Sequence, residues 1–108
     1  MNHLPTDLQL LDTIYRKYYD IFASYNEKSP NRSSKIYVPI SIDEIARQFG
    51  LDGDIIFGRL YYHLDQKYAY KQEDNGTVHL FTPVVGGDRH CVNFETVGIK
   101  RKNPMSLA

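Results

Sequence analysis

The chain has 108 residues, of which 42% are hydrophobic, 24% charged and 13% aromatic, the profile of one globular domain rather than a disordered segment. Thirteen Lys+Arg balance thirteen Asp+Glu, so the formal net charge is zero and the overall basicity of many nucleic-acid-binding domains is absent. The longest apolar run falls far short of a membrane helix, no basic-then-apolar leader is visible, and the single cysteine, Cys91, excludes an internal disulfide or a cysteine-based zinc site. A reduced, cytoplasmic setting without membrane contact is therefore expected.

A first helix is expected over about 7–28, with Pro5 just outside it and Thr6 or Asp7 as its cap. Leu8, Leu11, Tyr15, Tyr18, Phe22 and Tyr25 recur at spacings of three and four, forming one apolar stripe. Leu10, Ile14 and Ile21 add a second strip. A stripe this wide needs more than one covering surface. Core contact and a second copy of the chain are the two options, and a homodimer is expected through Leu10, Ile14, Tyr18, Ile21, Phe22 and Tyr25. Residues 29–34 carry loop signals, and Ile36-Tyr37-Val38-Pro39 reads as a short strand whose proline suits an edge or an end.

Ser41 opens a second helix with Ser-x-x-Glu, in which the Ser41 hydroxyl accepts from the Glu44 N–H and Glu44 can reach back. Ile42, Ile45, Ala46 and Phe49 form its apolar face. Gly50 suits a left-handed cap, and Leu51 supplies the hydrophobe that often follows. Asp52 or Asp54 can cap a third helix running to about Lys67. There Phe57, Leu60, Tyr61, Leu64 and Tyr68 share a face, leaving Asp54, Arg59, Tyr62, His63 and Gln66 outside it. Residues 68–72 read as a strand, Asn75-Gly76 as a two-residue turn, and 77–81 as the return strand, ended by Pro83. Gly86-Gly87-Asp88 is another turn, residues 90–94 form an additional short strand, and residues 100–108 read as a flexible basic tail.

Ser41-Ile-Asp-Glu-Ile-Ala-Arg-Gln-Phe-Gly50-Leu51, then Phe57, Tyr61 and Leu64 to Tyr70, then the Asn75-Gly76 hairpin, resemble the winged helix-turn-helix superfamily. Ala46 falls where that motif needs a small residue at the helix crossing, and Gly50 falls at its turn. The resemblance implies an α+β fold: three helices with a short strand and a C-terminal β-hairpin wing. It places the helix-turn-helix at about 41–67 and the wing at about 68–82, within a single domain spanning 1–99. In DNA-binding members the third helix enters the major groove and the wing meets phosphate. Carried onto this chain, Arg59, Tyr62, His63 and Gln66 would face bases, and Arg47 and Lys71 would meet phosphates. The implied function is a small DNA-binding transcriptional regulator. The alternative is a winged-helix module for protein–protein contact, with no nucleic acid.

Charge position bears on that choice. Between Ser41 and Asp74, the basic Arg47, Arg59, Lys67 and Lys71 face seven acidic residues: Asp43, Glu44, Asp52, Asp54, Asp65, Glu73 and Asp74. Glu73-Asp74 sits at the expected wing tip, the wrong sign for a phosphate backbone. Positive charge gathers elsewhere, at Arg32, Lys35 and Lys100-Arg101-Lys102.

No enzyme signature emerges. His3, His63, His79 and His90 form no i, i+4 pair. Asp88 and His90 alternate onto one strand face, while Cys91 points to the other and reads as a buried inert thiol. Gly86-Gly87 is not followed by Gly-Lys-Ser/Thr. No catalytic residue, metal or cofactor is expected.

Overall fold

The computed structural model describes residues 4–105, so His3 and residues 106–108 lie outside the described part of the chain. Helix α1 spans Asp7–Ala23, strand β1 Tyr37–Pro39 and helix α2 Ile42–Phe49. Helix α3 runs over 53–68, with a π-helical stretch at Arg59–Leu64 between α-helical ends. Strands β2 (Tyr70–Lys71), β3 (Thr77–Val78), β4 (Phe81–Val85) and β5 (Asp88–Asn93) follow, and helix α4 covers Phe94–Lys102. The result is an α+β domain of four helices and two small antiparallel sheets, ordered β1-β5-β4 and β2-β3. No helix of the described residues is long and apolar enough to cross a membrane.

Thr6 caps α1 through a reciprocal pair: the Gln9 N–H donates to Thr6 Oγ1 (3.1 Å) and the Thr6 N–H donates to Gln9 Oε1 (2.9 Å). The helix stops at Ala23 rather than near residue 28 because Arg32 takes its terminal carbonyls. Arg32 donates through Nη1 to Ile21 O (2.9 Å) and through Nη2 to Phe22 O (3.1 Å) and Lys35 O (2.7 Å). The guanidinium also lies over the Tyr25 and Phe22 rings, so this member of the expected basic patch is buried.

The expected dimer surface is largely consumed inside the chain. Leu10 and Ile14 are fully buried, and Tyr18 is buried with its hydroxyl accepting from the Ser41 N–H at 2.7 Å. Phe22 stacks on Phe94 with ring centroids 4.7 Å apart, Tyr25 lies beneath Arg32, and Ile21 alone of the six is exposed. The second surface that α1 needs is α4, which the expected three-helix arrangement lacks. Asn93 caps α4 by accepting from the Thr96 N–H (3.1 Å), and Phe94 also stacks on Tyr15 (5.1 Å). The close approach is possible because position 98 is glycine: a Cβ there would sit 3.0 Å from the Tyr15 ring.

The basic segment starting at residue 100 is therefore helical through Lys102, not a flexible tail. Lys100 is buried with its ammonium over the Tyr68 ring, and Arg101 lies over the Tyr15 ring and pairs with Asp12. Long basic side chains can cover apolar surface with their stems while satisfying their heads, which a reading by charge alone misses.

The α2–turn–α3 segment follows the expected local chemistry. Ser41 Oγ accepts from the Glu44 N–H (3.2 Å), Gly50 adopts φ 68°, and the Leu51 N–H closes on Ala46 O at 2.8 Å. Glu44 turns to Lys17 rather than completing the box. Asp52 stands at the cap position of α3 without a side-chain cap bond.

The strands depart from the expected wing. The Asn75-Gly76 turn forms, with Asn75 at φ 67°, but its strands are two residues each and pair only with one another. The chain leaves this hairpin at His79-Leu80, where the residues opposite, Ala69 and Tyr68, belong to the end of α3, and Asp65 takes the Leu80 and Phe81 N–H groups. It then makes a second hairpin, β4–β5, turning at Gly86-Gly87. The additional strand expected at 90–94 is the central strand of the larger sheet, pairing Tyr37 with Asn93 on one side and Phe81 with Val92 on the other. Pro83 lies within β4 instead of ending a strand, which an edge position tolerates.

Candidate functional site

The outward face of α3 was the expected base-reading surface. Residues 59, 63 and 67 are spaced by four, so Arg59, His63 and Lys67 form one strip along the helix. All three reach Asp7, the first residue of α1: Arg59 Nη2 at 2.8 Å, His63 Nε2 at 3.0 Å and Lys67 Nζ at 3.1 Å. Arg59 Nη1 also donates to Pro5 O (2.8 Å). Partial burial alone would raise the Asp7 carboxyl, but the hydrogen bonds from Arg59, His63 and Lys67 outweigh it and hold the group down at about 2. Arg59 and His63 are thus tied to the N-terminus of α1 rather than projecting toward a ligand.

The remaining expected contacts are scattered. Tyr62 is 71% exposed and Gln66 is exposed beside it on α3. Arg47 is exposed on the last turn of α2 and Lys71 on β2.

A second constellation stands next to Tyr62. Asp65 is buried on the inner side of α3. Its Oδ1 accepts from the Leu80 N–H (2.7 Å) and the Phe81 N–H (3.1 Å), and its Oδ2 lies 2.8 Å from His79 Nδ1. A carboxylate offers only acceptors, so Nδ1 carries the hydrogen; in the neutral ring Nε2 is left as an acceptor. The half-exposed His79 faces a cleft of about 420 Å³ that Tyr61, Tyr62, Gln66, Phe81, Thr82 and Pro83 also line. Tyr61 packs edge-on against Tyr62 (4.9 Å) and Phe81 (6.4 Å). Sequence reasoning passed over this pair because Asp65 and His79 lie on different elements, and no short motif joins them. The available signal was an acidic residue directly after Leu64 on the inward side of a helix.

The Asp88, His90 and Cys91 group does not assemble. Asp88 accepts from the Ser33 N–H (2.7 Å), while the His90 ring packs edge-on to Phe57 (5.8 Å) and flat on Phe81 (6.3 Å). His90 holds φ 55°, and its carbonyl accepts from the Ile40 N–H at 3.0 Å. Cys91 is buried, and that burial, reinforced by the Asp88 charge, pushes its thiol up to about 11. A wider hollow of about 600 Å³ beside His90 is bordered by Asp43, Asp52 and Asp54. Among the described residues no group of three His, Cys, Asp or Glu side chains is placed to hold a metal ion.

Comparison of the chain with protein-family models, curated proteins and solved structures finds no significant match.

Proposed function

We propose that this chain is a protein-interaction module built on a winged-helix variant. The order α1, β1, α2, α3 and a following hairpin supports the winged-helix reading, as does β1 pairing with the last strand of that hairpin. In this reading β4–β5, turning at Gly86-Gly87, is the wing, and the 70–78 hairpin is an insertion before it. The observation that carries the functional half is the occupation of Arg59, His63 and Lys67 by Asp7 while Tyr62 stands outward. A surface whose cations are drawn onto an internal carboxylate and whose aromatic side chain projects suits a protein contact better than a phosphate backbone. Tyr62 and the Tyr61 ring packed against it are exposed on this region and are its expected anchors.

The test places a photo-crosslinking amino acid at position 62 in the full chain. Capture of one protein species in stoichiometric yield supports the reading; capture of nucleic acid overturns it.

Double-stranded DNA is the second reading, favoured by one observation: Arg47, Gln66 and Lys71 are exposed, and Arg47 and Lys71 make no ion pair among the described residues. Under it, labelled duplex binds at low salt, loses affinity steeply as salt rises, and loses it again in Arg47→Ala and Lys71→Ala. No binding even at low salt removes this reading.

A further inference from the structure

Of the six asparagines in the chain, Asn75 alone is followed by glycine. An asparagine loses its side-chain nitrogen as ammonia when the backbone nitrogen of the next residue attacks its amide carbon. The attack is easiest where that next residue has no Cβ to crowd it and the backbone turns freely. Asn26, Asn31 and Asn93 precede Glu27, Arg32 and Phe94. Each also holds its side-chain oxygen on a donor: the Lys28 N–H (2.9 Å), Arg32 Nη1 (2.7 Å) and the Thr96 N–H (3.1 Å) respectively. Asn103 precedes Pro104, whose nitrogen carries no hydrogen. Asn2 precedes His3 and lies outside the described residues.

The fold adds to this sequence preference. Asn75 is exposed in the β2–β3 loop, and among the described residues its side chain makes no hydrogen bond. The hairpin has two ladder pairs, Tyr70–Val78 and Lys71–Thr77, and its strands pair with no other. A hairpin this short opens at small cost, so the rotation that brings Gly76 N to Asn75 Cγ is available in the native protein. Asp74 supplies the chemistry. Its Oδ1 accepts from the Gly76 N–H at 2.9 Å. This contact reaches only two residues along the chain, so it does not depend on the ladder. The nitrogen that attacks is thus already held by a carboxylate able to take its proton, the arrangement of general-base catalysis.

We propose that Asn75 is a site of self-modification, at which Gly76 N displaces the side-chain amide with Asp74 as general base. The bond from Gly76 N to Asn75 Cγ forms and the Cγ–Nδ2 bond breaks. The proton that Gly76 N gives to Asp74 departs with Nδ2 as ammonia. Water then opens the resulting cyclic imide at either carbonyl. One opening leaves aspartate at position 75. The other routes the main chain through the side chain, as isoaspartate, and adds one carbon to the backbone. Either product adds negative charge to a tip that already carries Glu73 and Asp74 and so disfavours a phosphate contact at Lys71. Isoaspartate also lengthens the loop, which removes the left-handed geometry of Asn75 (φ 67°) and the closure of the Gln72 N–H on Gly76 O (2.8 Å). The hairpin therefore carries a slow, one-way switch of charge and shape, independent of the interaction reading above.

The full-length chain is incubated in mildly alkaline buffer, natively and in urea, and followed by intact mass and peptide mapping. In the native protein the mass gain of an amide-to-acid change is expected at Asn75 ahead of every other asparagine, with both aspartate and isoaspartate as products. Asp74→Ser keeps a side-chain acceptor for the Gly76 N–H but removes the base, and is expected to slow the native reaction about ten-fold. Gly76→Ala serves if that variant disturbs the hairpin. Its Cβ would meet only the movable Asp74 carboxylate, at 3.0 Å, and Gln72 beyond it, and it too is expected to react about ten-fold more slowly. Reaction in urea with none in the native protein overturns the proposal, since the loop then protects Asn75. It is likewise overturned if another asparagine reacts as fast, if Asp74→Ser reacts at the wild-type rate or faster with its hairpin intact, or if Gly76→Ala matches wild type.

Discussion

Arg59 Nη2 and Asp7 Oδ1 lie 2.8 Å apart although 52 residues separate them in the chain. The contact fastens the N-terminus of α1 to the middle of α3 and does so across the π-helical stretch. The same carboxylate accepts from His63 and Lys67, so one acidic residue engages all three side chains of the strip and offsets part of its charge. A strip with the composition of a nucleic-acid-binding surface thereby becomes a structural latch.

Asp7→Asn tests the latch. The carboxyl of Asp7 is held at about 2 against an ordinary 3.8, so its contribution to stability is present above the ordinary value and is lost as pH falls toward 2. With allowance for solvent screening, the variant is expected to lose about 1 kcal/mol at neutral pH. The gap between variant and wild type should close in acid, because a protonated Asp7 resembles Asn. Urea unfolding at about pH 6 and about pH 2 measures both arms. The variant also leaves Arg59 and Lys67 without their carboxylate, so it should acquire salt-sensitive, sequence-independent affinity for duplex DNA.

The β4–β5 turn makes a sharper contrast between neighbours. Gly86 has φ 59°, and a Cβ there would fall 2.7 Å from both Ser33 Cβ and Ser33 Oγ. Ser33 has no room to give, since its N–H donates to Asp88 and its hydroxyl accepts from the Gly87 N–H. Gly86→Ala should therefore cost about 2 kcal/mol. At Gly87 a Cβ meets nothing within 4 Å. Gly87→Ala should stay within about 0.5 kcal/mol of wild type. Thermal unfolding of the two single variants decides it, and equal losses would show that the turn is not held by Ser33.

What was legible in the chain was local. Ser41 as a cap, Gly50 in the left-handed region and Asn75-Gly76 as a turn each follow from the chemistry of a few neighbouring residues, and each is present. The width of the α1 stripe correctly demanded two covering surfaces, but periodicity cannot say whether the second cover is another chain or a later helix. Here it is α4, whose Lys100-Arg101-Lys102 end disguised it as a tail. The extent of the wing was illegible for a different reason. Nothing near Leu80 signals that Asp65, fifteen residues earlier, takes its N–H and seats the start of the next hairpin on α3. The candidate site shares this property: Tyr62 and Gln66 were found from helix phase, whereas Asp65 and His79 meet only through the tertiary fold.

Cys91 allows a chemical check on the central strand. Burial, with the Asp88 charge nearby, puts its thiol at about 11 against an ordinary 9.0. About two pKa units correspond to roughly a hundred-fold less thiolate at mildly alkaline pH, and burial blocks the reagent as well. Native protein should react with a thiol-specific disulfide reagent far more slowly than urea-unfolded protein, with the rate following global unfolding. Fast native reaction would mean that β5 opens locally and is not the centre of its sheet.

Asp65 is the residue on which the seating of β4 against α3 and the candidate cleft both depend. Removing its carboxylate strands two backbone N–H groups, at Leu80 and Phe81, in a buried position, and leaves His79 without its orienting partner. Asp65→Ala should therefore destabilise the domain by about 3 kcal/mol. Asp65→Asn retains an acceptor for both N–H groups and should lose distinctly less. His79→Ala exposes the Asp65 side chain to solvent at one oxygen while the other keeps its two backbone bonds, so its cost should be the smallest of the three. Urea denaturation of the series gives the order. If His79→Ala costs as much as Asp65→Ala, the imidazole is itself part of the clamp that holds β4 on α3.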